Sequence, residues 1–332
     1  MKKIFLIDGS SVLSTQYYGN LPKSYTFAKS KEEKVEAMKD ILQTSDGIYT
    51  NAVFNMTKTI LKLIKDYDIE YLGVCWDISR KTFRRELYPQ YKAHRDETPK
   101  PLSSQFSLMQ KVLDHMGIPQ FKLENYEADD LIGTLSKTLS GDNQVFILSK
   151  DRDVLQLVNP NTTVWLNTKQ GNKLYPLIKE LDNEFKHAPY GYFPFSLDAF
   201  RLIYGLEPKQ LIDLKGLVGD TSDGIPGISN MGEKTATPIL QRYETIEKFY
   251  EDIERLTLKE SDKKIKEKGI KRVSVEKMLK NKEVALLSKG LATINTSVPE
   301  YSDISIDDLH FNINKNNSYT IFNSLEFKSL KL

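Results

Sequence analysis

The chain has 332 residues, 39% hydrophobic and 28% charged, with a formal net charge of +2. This is ordinary soluble globular composition, long enough to bury a substantial core in one large or two modest domains. The single Cys75 excludes an intramolecular disulfide framework and a Cys-rich zinc site, and no uncharged apolar stretch approaches the ~20 residues that span a bilayer. The expectation is a cytoplasmic protein with no membrane contact.

The chain opens with "MKKIFLIDGSSV", whose two lysines resemble a secretion signal, but its apolar run is too short for a signal core. "KIFLID" instead reads as a buried strand ending at Asp8 and a Gly-Ser-Ser turn. Residues 23–50 are polar and read as an insertion. "NAVFNMTKTILKLIKDY" (51–67) has apolar residues at helical spacing, and "EYLGVCWD" (70–77) is a second buried strand, again ending in Asp. A basic segment follows: residues 79–95 carry six Lys/Arg against one Glu, with aromatics interleaved. Helices are expected near 103–118 and 129–140, and strands over 119–123, 143–149 and 162–167. Strands alternating with helices imply a mainly parallel sheet covered on both faces, with ligand sites beyond the C-terminal strand ends. Asp8, Asp77, and Asp151 with Asp153 all sit just past such ends.

Residues 168–195 read as a second insertion. Beyond residue 195 the pattern turns helical, and a second basic run at 259–282 holds ten Lys/Arg against four acids. Such clusters suit a phosphate backbone or a solvated surface equally. The histidines His94, His115 and His187 have no partner pattern, and His310 lies in a polar tail.

Nine acids lie beside expected turns and strand ends: Asp8, Asp77, Glu127, Asp129, Asp130, Asp151, Asp153, Asp220 and Asp223. Two unit charges ~4 Å apart at an effective dielectric near 20 interact by about 4 kcal/mol. Converging carboxylates of this number need divalent cations, and oxygen-only ligands favour Mg²⁺ or Mn²⁺ over zinc. Two such ions roughly 3.5–4 Å apart form the arrangement that hydrolyses phosphodiesters. "EADD" alone reads first as an N-cap with dipole-favoured acids, and only together with the other acids as part of a metal cluster. Its spacing leaves open how Glu127, Asp129 and Asp130 divide between two ions. "GIPGISNMGEKTA" (224–236) is a Gly-rich turn into a helix start, where backbone N–H groups can face a phosphate, as in a helix–hairpin–helix that grips one DNA strand.

The stretches "LIDGSSVL", "WDISRKTFRRELYPQYKAHR", "YEADDLIGTL", "ILSKDRDVLQLV", "GLVGDTSDGIPGISNMGEKTA" and "EVALLSKGLATI" occur in that order over residues 4–295. Together they resemble the 5′-nuclease domain at the N-terminus of bacterial DNA polymerase I, part of the flap endonuclease superfamily, here in a free-standing form without a polymerase. The resemblance implies an α/β fold: a PIN-like, mainly parallel sheet flanked by helices. It implies a catalytic domain over 1–195 with a helical arch at about 79–100, a helix–hairpin–helix DNA-binding region over 196–295, and a tail over 296–332. It implies a structure-specific 5′→3′ exonuclease and flap endonuclease acting on 5′ flaps, nicked or gapped duplex and RNA primers in replication and repair. The expected form is a monomer, beside a separate DNA polymerase.

The resemblance places Asp8, Asp77, Glu127 and Asp129, with Asp130 adjacent, in a first metal cluster, and Asp151, Asp153, Asp220 and Asp223 in a second. Two Mg²⁺ ions are implied, with Mn²⁺ as a substitute, and K⁺ at the helix–hairpin–helix. Lys81 and Arg84 match basic residues that contact the scissile phosphate, and Tyr91, Lys92 and Arg95 fall in the rest of the arch. Gly227, Gly232, Lys234 and Thr235 belong to the implied duplex-binding hairpin. Thr15, Gly224 and Asn230 depart from the family pattern; Asn tolerates positive φ better than most residues. A non-catalytic branched-DNA-binding protein and a PIN-type ribonuclease are the alternative readings. The full acid set opposes the first, because unfilled carboxylates repel DNA, and the hairpin stretch opposes the second.

Overall fold

The computed structural model describes residues 1–332 except 180, 182–187 and 272. Six strands form one sheet: β1 (Lys3–Asp8), β2 (Tyr71–Trp76), β3 (Gln120–Lys122), β4 (Gln144–Ser149), β5 (Thr162–Asn167) and β6 (Tyr192–Phe195). Their order is β3-β2-β1-β4-β5-β6, and only β6 runs antiparallel. Strand order reverses between β1 and β4, so the crevice beyond their C-terminal ends is the switch point where doubly wound sheets take ligands.

The continuous apolar run of β1 is buried on both faces, and its alternate residues serve two cores. Phe5 and Ile7 pack with α1 (Gly9–Gly19), α2 (Asn51–Tyr67) and α3 (Lys100–Met116). Ile4 and Leu6 face the opposite core, shared with α4 (Ala128–Leu139) and with the C-terminal helices α5 (Gln210–Val218), α6 (Glu233–Tyr243) and α7 (Lys282–Ala292).

Three sequence expectations change. The segment at 79–100 holds only one short helix, Phe83–Leu87, because Pro89 pushes Tyr88 to an extended backbone (φ −142°, ψ 96°) and ends it. Turns then carry the chain to residue 95. The stretch 168–195 is not wholly an insertion, since Tyr192–Phe195 pairs with β5; His187 and its neighbours lie outside the described residues. Nor is 296–332 a loose tail. The Phe311 N–H donates to the Glu70 carbonyl at 3.3 Å, His310 bridges to Tyr71, and helix α8 (Lys315–Ser324) buries Ile321 and Phe322 against the α1–α3 side. The polar insertion at 23–50 forms helices Lys23–Thr26 and Lys31–Ala37, buries Ile41, and is tied to the C-terminal segment by Ser45 N–H donating to Glu326.

The Gly-rich turn after α5 packs inward. Gly227 has φ +59° and donates its N–H to Ser288 Oγ of α7 at 3.0 Å. A Cβ there would lie 2.2 Å from the Gly219 nitrogen, so only glycine fits. Asn230 adopts φ 56°, the left-handed backbone anticipated for it.

Arg84 ties the sheet domain to the C-terminal helices. It is 2% exposed and grips Asp130, which is fully buried, through two bonds of 2.8 and 2.6 Å. Its remaining donors reach the carbonyls of Leu291 and Thr293 beyond the sheet domain, and Nη1 also approaches Glu127 at 3.4 Å. Asp130 also accepts from the backbone N–H groups of Glu127 and Asn295, so both partners are saturated. Arg84→Met would strand a buried carboxylate and cost about 3–5 kcal/mol in chemical denaturation, whereas pairing it with Asp130→Leu recovers most of that loss. An unchanged midpoint in the single variant would contradict this role.

Candidate metal centre

The strand ends deliver the first carboxylates. Asp8 is the last residue of β1 and caps α1, accepting from Ser11 N–H at 2.9 Å and from Ser149 Oγ of β4 at 2.7 Å. Asp77 follows β2 and accepts the Ala128 N–H at the start of α4 at 2.9 Å. Asp151 follows β4 and accepts the Asp153 N–H at 2.9 Å. Asp129 enters from the first turn of α4. The nearest charges to Asp8 include Asp77 and Asp151, and those to Asp129 include Asp151, Asp8 and Asp77. Among the described residues none of these four carboxylates has an ion pair.

The other acids are matched by cations. Glu127 accepts from Lys92 Nζ at 3.0 Å on both oxygens and from Tyr91 Oη at 3.1 Å. Lys215 of α5 bridges Asp153 and Asp220, at 2.6 Å from the latter. Arg95 pairs with Asp223 at 2.6 Å, and Lys92 approaches the same carboxylate at 3.8 Å. The sequence split of the acids into two sets therefore differs from the structure. Glu127 falls with the cation-paired group, and Asp151 lies among the unpaired one.

The electrostatics follow that division except at Asp153, where burial and Asp151 outweigh the Lys215 ammonium. Burial, then Asp77, push Asp8 up to about 7. Burial and Asp151 push Asp153 up to about 7 as well. Asp129 is driven well above the usual carboxylate range by burial and by Asp151 and Asp8. Asp220 goes the other way: bonds from Lys215 and Ser222 overcome its burial and bring it down to about 2.

The unpaired group fits a cation. Asp129 Oδ1 is buried with no hydrogen-bond partner, an arrangement that costs free energy unless something positive meets it. The donors are all oxygens, as hard divalent ions require. Among the described residues, no three His, Cys, Asp or Glu side chains already converge tightly enough to enclose an ion, so side chains must close in to ligate it.

These carboxylates floor a cleft of about 930 Å³. Its walls include Arg80, Arg85, Lys92 and Arg95 with Tyr18, Ile78 and Phe106. Several sequence assignments change here. Arg84 lies in the interior and its neighbour Arg85 lines the cleft, so Arg84 has no donor left for a phosphate. Asp130, saturated by Arg84 and backbone N–H groups, has no oxygen left for a metal. Tyr91 is 4% exposed and bonded to Glu127, which removes it as an outward DNA contact. Gly227 is a packing position. Lys81, Gly232 and Lys234 are exposed, and Thr235 is half-buried at the first turn of α6.

Sequence reasoning missed Arg85, Lys215 and the aromatic wall. Lys215 had a readable signal: it precedes Asp220 by five residues on the helix leading into that turn.

Residues 3–184 match the family model for the 5′-3′ exonuclease N-terminal resolvase-like domain, and residues 206–317 match the model for the 5′-3′ exonuclease C-terminal SAM fold. DNA polymerase I of Bacillus caldotenax is 34% identical over 99% of this chain, but the chain spans only 32% of that protein. A 5′-3′ exonuclease of Halalkalibacterium halodurans is 32% identical, over 92% of this chain and 88% of the relative. Among solved structures, T5 5′-exonuclease with divalent metal ions (zinc) bound superimposes with a TM-score of 0.61 at 18% identity, over 97% of this chain and 99% of that one. The catalytic core of Rad2 with DNA substrate gives 0.51 at 16%, over 98% and 88%. The two structures share the fold; the family models and the relative of matching length settle membership. The chain belongs to the 5′-3′ exonuclease family.

Proposed function

We propose that this chain is a structure-specific 5′ nuclease that hydrolyses DNA phosphodiesters, using divalent ions held by the carboxylates at the ends of β1, β2 and β4. The observation that carries the reading is the unpaired group of Asp8, Asp77, Asp129 and Asp151, with its orphaned buried oxygen, on the floor of a cleft walled by arginines. Family membership supports the hydrolytic reading, and the metal-bound T5 enzyme and the DNA-bound Rad2 core are consistent with metal and DNA as its ligands.

Asp8, Asp77, Asp129 and Asp151 would hold the first Mg²⁺, and Glu127, Asp153, Asp220 and Asp223 would complete a second site with Asp151 between them. Mn²⁺ substitutes by the same oxygen chemistry. When bound, two such ions supply a water of lowered pKa and stabilise charge on the attacking and leaving oxygens. Ser149 and the Ser11 N–H orient Asp8, and the α4 N-terminus orients Asp77. Arg80, Arg85 and exposed Lys81 bind phosphate oxygens of the substrate. Gly232, Lys234 and Thr235 take the duplex backbone at the start of α6, with K⁺ as the expected occupant of the preceding turn. Exposed lysines at 259, 263, 266 and 271 offer further positive charge for a phosphate backbone. Nicked or gapped duplex, 5′ flaps and RNA primers are the proposed substrates of a monomer working beside a DNA polymerase. Among the described residues no helix is long and apolar enough to cross a membrane.

Asp129→Asn or Asp151→Asn should lower Mg²⁺-dependent cleavage of a 5′-flap substrate by more than about 100-fold, beyond the 10–100-fold typical of outer-shell partners, without lowering the metal-free melting temperature. Full cleavage by either variant would sink the ligand assignment. Lys81→Ala should lower turnover more than substrate affinity; a purely affinity effect would remove it from the reacting phosphate.

The raised carboxylates also set a pH dependence. Asp8 and Asp153 remain protonated in the metal-free fold up to about 7, while the unfolded chain releases those protons near 4. Metal-free stability from these groups is therefore full below about pH 4 and falls as the pH rises to about 7. Bound Mg²⁺ needs the ionised forms, so its stabilising increment in a thermal melt should be larger near pH 8 than near pH 5. An increment independent of pH would refute this.

A further inference from the structure

We propose that residues 88–98 form a latch that the metal-free protein holds shut with its own cations and that divalent-ion binding opens, delivering Lys92 and Arg95 to the substrate. The inference rests on the two-ion reading above and adds a conformational role for the segment between the short helix and α3.

Lys92 joins three parts of the molecule. Its ammonium contacts both oxygens of Glu127 at the start of α4 and approaches Asp223 in the turn after α5. Its backbone N–H donates to the Asp223 carbonyl at 2.7 Å. Arg95 adds a 2.6 Å pair to Asp223, and Arg80 holds the carbonyls of Arg95 and Asp96 at 3.2 and 2.6 Å. The segment lies close against the turn: a Cβ on Gly224 would sit 2.8 Å from the Gln90 carbonyl.

The closed arrangement carries strain. Lys92 has φ 52°, a left-handed backbone that is unfavourable for a non-glycine residue. Its charge contacts with Glu127 and Asp223 offset that cost. A divalent ion binds carboxylate oxygens at about 2.0–2.1 Å and competes with those contacts for the electron density of the same oxygens, which weakens them. Repulsion between the ion and Lys92 and Arg95 then favours the open segment. Once released, these two residues stand with Arg80 and Arg85 as four positive side chains around the cleft, a surface suited to a phosphate backbone. Metal and nucleic acid thereby bind with positive coupling, each favouring the open state.

Hydrogen exchange of the full chain, metal-free and with Mg²⁺ but no DNA, tests this. Amides over 88–95 should exchange about tenfold faster with Mg²⁺, equivalent to roughly 1.4 kcal/mol of lost protection, while those over 128–131 do not accelerate. Mg²⁺ uptake is measured calorimetrically on the same sample. Uptake without faster exchange at 88–95 overturns the latch and leaves the metal reading standing; no uptake overturns both. Lys92→Gln should exchange fast at 88–95 before any Mg²⁺ is added. Should that variant unfold globally, Arg95→Gln, at a side chain 46% exposed, should show the same local acceleration to a smaller degree. A segment fully protected in the metal-free folded variants overturns the proposal.

Discussion

The molecule is organised around a repulsion that its own fold creates. Parallel strands point their C-terminal ends the same way, so acids placed at the ends of β1, β2 and β4 must meet. The burial that makes the sheet stable also strips those acids of water, which multiplies their mutual cost. The chain answers with four cations, Arg84, Lys92, Arg95 and Lys215, for nine carboxylates. They are spent unevenly. One half of the cluster is matched by cations, although burial still raises Asp153, and the other is left with proton uptake and an orphaned oxygen.

The start of α4 shows how one short stretch supports both the structure and the site. Consecutive helical positions are turned by about 100° from one another, so neighbours face different surroundings. Glu127, before the first turn, meets Lys92 and Tyr91. Asp129 faces the cleft floor. Asp130 points back into the protein and closes on Arg84. The same rotation divides the arginine pair: Arg84 is interior and Arg85 lines the cleft. A basic residue beside an acidic cluster can thus belong to the scaffold, with its value lying in what it joins rather than in what it binds.

Much of this was legible in the residues. Buried apolar runs ending in Asp located the sheet and the edge where its strand-end acids gather, because strand hydrophobicity and strand-end acids are local signals. The hairpin turn and the tolerance of Asn230 for positive φ were equally local. What escaped depends on contacts distant in sequence. Nothing near Arg84 announces that the carbonyls of Leu291 and Thr293 will come to its donors. Nothing near Pro89 says that the turns after it will settle on Asp223. The edge strand β6 was hidden because it is only four residues long and pairs antiparallel with β5 alone, and the segment after residue 296 read as polar because its buried side chains are spaced irregularly.

That last segment bears on the order in which the protein can be made. Tyr71 and Glu70, early in the chain, receive their partners from residues 310 and 311, and α8 closes the layer that α1 begins. A ribosome releases the N-terminal strands long before those partners emerge. The nascent sheet must therefore wait with one flank uncovered, and its layer closes only after residues 310–324 have left the tunnel. Synthesis itself then delays the moment at which the acidic cleft above that sheet is complete.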